Sequence, residues 1–213
     1  MQSNRPMPGN PWPHEMLITI EDDSHVLLEL LWIREAWGLD PSGVDLPPLL
    51  LDPPSRPLAS AIARDQVGTW QAAWPATWDA CVHHAGLIRD PTAFERLRET
   101  PGGSHEREQI LRKLFGPSWR EEFGDEALTE QYTAWAEARF EAQSRYRSRS
   151  LDEDPERVSL AALVPAWRVG LSKIVTIPCQ GSYTRIIGAH TLLVTEETRN
   201  NARTYREALA QFQ

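Results

Sequence analysis

Two segments near the C-terminus decide how this chain is read: Lys173-Ile174-Val175-Thr176-Ile177-Pro178, and after it Thr191-Leu192-Leu193-Val194-Thr195. Both are short and rich in β-branched residues, which pack well on a pleated surface and lose side-chain freedom in a helix. Gly181 and Gly188 lie between them and supply turns, so the region reads as a hairpin-like pair of strands. A lone hairpin is marginal in water and needs further strands or a covering helix. Met16-Leu17-Ile18-Thr19-Ile20 is the other stretch of this character, and we expect it to join the C-terminal pair, bringing both ends of the chain together.

Between these ends the pattern is helical. His25 to Trp37 is apolar over more than one face and should be central, with Gly38 and Asp40-Pro41 as its stop. Six prolines from Asp40 to Pro57 rule out a persistent helix or an interior strand, while Leu46 and Leu49 to Leu51 suggest a connection that packs. Leu58 to Gly86 is helical with Pro75 as a break or kink, and Asp90-Pro91 opens a short helix that Pro101-Gly102-Gly103 ends. Ser104 to Phe115 has a serine cap, acidic first turns, a basic last turn and Gly116 beyond, with Ile110, Leu111, Leu114 and Phe115 as its core side. A long helix from Asp125 to about Arg147, one after Asp154-Pro155, and one from Asn201 to Phe212 complete the series. The expected fold class is α+β and predominantly helical: about seven helices around a small sheet formed by an N-terminal strand and a C-terminal β-hairpin. Residues 1 to 15, with four prolines, are read as a flexible arm, and 16 to 213 as one globular domain with a Pro-rich connection at 40 to 57.

Composition narrows the function classes. Hydrophobic residues make up 41% and charged residues 24% of the 213, the balance of a chain that folds. The formal charge of -8 gives a mean field that repels polyanions, which argues against a general nucleic-acid or anionic-membrane binder. No apolar run approaches the ~20 residues that span a bilayer, no secretory leader is read at the start, and Cys81 and Cys179 make no metal-finger or disulfide pattern. A cytoplasmic address is expected, with no metal and no cofactor.

Five constellations invite a chemical reading. Cys179-Gln180-Gly181-Ser182-Tyr183-Thr184-Arg185 has the C-x5-R spacing in which loop amides cradle a phosphate, an arginine grips it and a thiolate attacks. Such a loop should feed a helix N-terminus, whereas Arg185-Ile186-Ile187-Gly188 looks extended, so a small buried cysteine at a strand end is the competing reading. Trp70, Trp74 and Trp78 recur at i+4 and are either aromatic anchors for a ligand or partner, or a helix-helix seam. Arg139, Arg145, Arg147 and Arg149, interleaved with Phe140 and Tyr146, would suit RNA or phosphate, or simply complement a helix C-terminus. Asp79 and His83 share a helix face without a further ligand fixed beside them, and Pro54-Ser55-Arg56-Pro57 has the spacing of a polyproline motif.

No single motif assigns a function. The first expectation is a non-catalytic interaction or regulatory protein with an unknown protein partner, or a homodimer, using Trp70, Trp74 and Trp78. The second is a small enzyme acting on an anionic, phosphorylated substrate through Cys179 as nucleophile and Arg185 as clamp. The third is an RNA contact through Arg139 to Arg149.

Overall fold

The structure is a computed structural model that describes residues 11–55, 64–88, 90–146 and 153–212. Four strands form one sheet in the order β1-β2-β4-β3: β1 (Thr19–Glu21), β2 (Lys173–Ile177), β3 (Thr184–Ile187) and β4 (Thr191–Thr195). The N-terminal strand does pair with the C-terminal region, in parallel, with Thr19 opposite Lys173. The hairpin is made by β3 and β4, whose three-residue turn opens at Gly188 with φ 57°. β2, read from sequence as one arm of that hairpin, instead lies parallel to β4, with Lys173 opposite Thr191. All five residues of β2 and all five of β4 are buried. An apolar run covered on both faces belongs in the centre of a sheet, so β3 runs out to the edge and β4 returns between the two.

Ten helices surround the sheet among the described residues. On one face α1 (His25–Ala36) and α2 (Arg64–Ala85) cover Val175, Ile177 and Leu193. On the other, α8 (Leu160–Arg168) and α10 (Ala202–Ala210) cover Ile174, Leu192 and Val194, together with Met16 and Ile18 from the N-terminal segment. Alternation along each strand feeds both cores at once. α2 passes through Pro75 as one helix and not as two. Of the expected N-terminal arm, residues 1 to 10 lie outside the described residues, and from Trp12 the chain is docked, its indole N–H donating to the Met16 carbonyl at 2.9 Å. Between α8 and β4 no helix intervenes, and among the described residues no helix is long and apolar enough to cross a membrane.

Arg34 is the main polar tie of the first core. Its guanidinium, 4% exposed, donates to the carbonyls of Pro47 and Pro48, pairs with Glu35 at 2.9 Å and lies over the Trp74 ring. Glu35 in turn accepts from the Leu50 amide. The proline-rich connection therefore packs as expected, and Leu50 makes an antiparallel bridge to Cys179. Replacing Arg34 by alanine leaves a buried carboxylate and two carbonyls without their donor, and is expected to cost about 3 kcal/mol, read as a lower urea midpoint.

The second core has its own tie. Arg199 on α9 (Glu196–Asn200) bonds Glu156 of α7 (Pro155–Val158) through Nε at 2.8 Å and a terminal nitrogen at 2.6 Å, and the Tyr205 hydroxyl donates to the same carboxylate at 2.8 Å. Burial opposes the Glu156 charge, but these donors outweigh it and hold the carboxyl down at about 2. Its neighbour Asp154 is pushed up to about 6 by burial and by the Glu156 carboxylate. Asp154 thus holds a proton more tightly folded than unfolded between about pH 4 and 6, so its contribution to stability is lost as pH rises through that window. Comparison of thermal midpoints from pH 4 to 6 is expected to show this fall in the wild type and a shallower one in Asp154→Asn.

Candidate functional site

The sequence candidates are placed first. Cys179 is fully buried and donates its amide to the Ile177 carbonyl at 2.9 Å. Burial pushes its thiol up to about 12. The amides that would cradle an anion are committed elsewhere: Gln180 to the Leu49 carbonyl, Gly181 to the Glu197 carboxylate and Tyr183 to the Thr198 hydroxyl. Arg185 stands on β3, extended as expected, and pairs with Asp79 of α2 in a shallow groove of about 550 Å³ that Cys179 does not line. The C-x5-R segment thus arches over the end of β4 and is stitched to α9, an environment that keeps the thiol protonated.

Trp70, Trp74 and Trp78 are 2%, 0% and 1% exposed, and the Trp74 and Trp78 rings stack at 5.3 Å. They line the seam between α1 and α2, with the Trp74 indole donating to the Leu30 carbonyl at 2.9 Å. Two further tryptophans bind distant carbonyls in the same way, Trp37 to Ala127 and Trp135 to Asp52. On α6 (Glu130–Tyr146), Arg139 is paired with Glu196, and Phe140 is 64% exposed. Arg147 and Arg149 lie outside the described residues, as do Arg56 and Pro57 of the polyproline spacing. Among the described residues no three His, Cys, Asp or Glu side chains are grouped to hold a metal.

A larger concavity than the Arg185 groove lies elsewhere and was not singled out from the sequence. α3 (Ala93–Glu99) and α4 (His105–Phe115) form a helical hairpin closed by Gly103 at φ 73°, by the Ser104 cap on the Arg107 amide, and by Arg107 donating to the Leu97 and Thr100 carbonyls. α4 has the caps and length read from sequence. Only Ile110 of its expected core side is buried, however, and Phe115 is 62% exposed. The reason is that the hairpin stands off the body of the protein. Its far end is tied to α2 by His84 Nε2 with the Lys113 carbonyl at 3.0 Å, and Gly116 packs so closely on the His84 ring that a Cβ there would lie 2.4 Å from it.

The space between hairpin and body is a cleft of about 710 Å³. Ala93, Ile110 and Leu114 line it from the hairpin; Val26, Cys81 and Ala85 line it from α1 and α2. At its mouth stand Leu87, Ile88, Phe94 and Phe115, each between 47% and 67% exposed. Its polar lining includes Lys173, 6% exposed, whose ammonium donates to the Ala85 carbonyl at 2.6 Å and pairs with Glu21 at 2.7 Å. The first of these bonds places a cation at the C-terminus of α2, where the helix dipole favours it. The sequence signal for this site was the charged residue opening the otherwise apolar run of β2, in a chain with only two lysines, Lys113 and Lys173.

No protein-family model, no curated protein and no solved structure matches this chain. A direct check on the thiol environment is available: in the native protein at pH 8, Cys179 is expected to stay unmodified by iodoacetamide over hours and to react on addition of denaturant, read by peptide mass spectrometry. Rapid native modification would show a lowered pKa and revive the nucleophile.

Proposed function

We propose that this chain is a binding protein and that its working site is the cleft between the α3–α4 hairpin and the body. The observation that carries the reading is the coincidence of a cleft lined in part by apolar side chains and a mouth ringed by four exposed large apolar side chains. A cleft of about 710 Å³ lies within the range typical of small-molecule sites, which are mostly apolar with a few placed polar groups. Leu87, Ile88, Phe94 and Phe115 lose contact with water when an apolar body enters, and each such burial is favourable. The two free, buried thiols suit a reducing compartment such as the cytoplasm.

The test is a titration with Nile red, a neutral fluorophore that brightens on leaving water. Saturable binding to the wild type is expected, and Leu87→Ser with Phe94→Ser together should raise Kd by about tenfold, the equivalent of ~1.4 kcal/mol of lost apolar contact. Both positions are exposed, so the fold is expected to tolerate them. Absent binding, or binding indifferent to both substitutions, removes the proposal.

The exposed rim also supports a second reading, in which a protein partner or a second copy of this chain covers it. Sedimentation velocity separates the two: a concentration-dependent dimer abolished by the same pair of substitutions favours the homodimer.

A further inference from the structure

Lys173 is the one buried charged residue among those that line the cleft. Its side chain is 8% exposed, and two of the three ammonium hydrogens are directed to the Ala85 carbonyl and the Glu21 carboxylate. The third has no acceptor among the described residues. A donor taken from water without a partner is costly, and more so when it is charged. Lys173 lines the cleft, so a bound molecule can supply the missing oxygen.

The charge balance decides which oxygen. Glu21, 2.7 Å from the ammonium, already compensates it, so a second anion would be buried without a counter-charge. Asp90 and Arg96 neutralise one another at 3.5 Å. Of the remaining charged side chains in the lining, Asp23 and Glu106 outnumber the exposed Lys113. The first turn of α1, whose cap residue Ser24 makes no side-chain bond back to the helix, contributes Ser24, His25 and Val26 to the wall, and its positive end attracts an acceptor oxygen.

Resting on the reading of the cleft as the working site, we propose that its ligand is an uncharged apolar molecule bearing a carbonyl oxygen, which accepts the third hydrogen bond of Lys173. Ketones, esters and amides on a hydrophobic body share this chemistry; carboxylates and phosphates do not.

Three naphthalenes of common shape test it: 6-propionyl-2-(dimethylamino)naphthalene, the parent 2-(dimethylamino)naphthalene, and 6-(dimethylamino)-2-naphthoate. The ketone is expected to bind the wild-type protein about tenfold more tightly than the parent, the step expected for a hydrogen bond to a charged donor, and more tightly than the carboxylate. Its bound emission should carry the red shift of a hydrogen-bonded carbonyl, and the Glu21→Gln, Lys173→Met double variant should lose that shift along with the affinity step. Equal affinity of ketone and parent, both weakened by Phe94→Ser, overturns the carbonyl inference and leaves the cleft standing. Tightest binding by the carboxylate also overturns it. If none of the three binds, the cleft reading and the inference fall together. The ligand series on the wild type decides the matter even if the double variant fails to fold.

Discussion

The structure depends on two adjacent parallel strands, β2 and β4, that are buried on both faces along their whole length. Apolar side chains on both sides of a pleat oblige the chain to build two coats, and the two cores are the result. α1 and α2 supply one coat from the first half of the sequence. α8 and α10 supply the other from the second half, joined by Met16 and Ile18. β1 can pair only because the N-terminal segment lies beside the edge of β2. The antiparallel β3 closes the other edge with Arg185 and Thr184, a short and charged border of the kind that discourages further pairing.

Satisfying polar groups around this sheet explains the oddities of composition. The proline-rich connection has few backbone donors of its own, yet its carbonyls must be met where it packs; Arg34 meets two of them, and Glu35 takes the Leu50 amide. The tryptophans act similarly, combining a large apolar body with one N–H that reaches a carbonyl far along the chain. Lys173 and Thr191, at the starts of β2 and β4, do the same for the end of α2, taking the carbonyls of Ala85 and Gly86. Gly86 permits this approach, since a Cβ there would fall 2.3 Å from Ile187. The cleft follows from these anchors: α2 is fixed at its end, the hairpin is fixed at Gly116, and a space is left between them.

Much of this was legible in the residues. Caps at Ser104, Asp154 and Asn201 mark helix starts that the structure keeps, because a side-chain oxygen and an amide two or three residues on are a local matter. Tryptophan at i+4 announced a helix face, and the short β-branched run of β2 announced a strand. The pairing of β2 was not legible, since a buried parallel strand and a hairpin arm share the same short apolar signature. Nor was the commitment of the C-x5-R amides, which depends on Leu49 of the proline-rich connection and Glu197 and Thr198 of α9 arriving from two separate places.

What the sequence determined by itself is the helical or extended character of most elements and the two ends coming together, set by periodicity and by caps that act within a turn. Tertiary structure alone decided which strand lies beside which, that the thiol of Cys179 is enclosed while Lys173 faces a cleft, and that Ala85 and Glu21 meet on one ammonium. The Lys173 contacts join residues 88 and more positions apart in the chain, where solvation and charge compensation are set by neighbours that local patterns do not name.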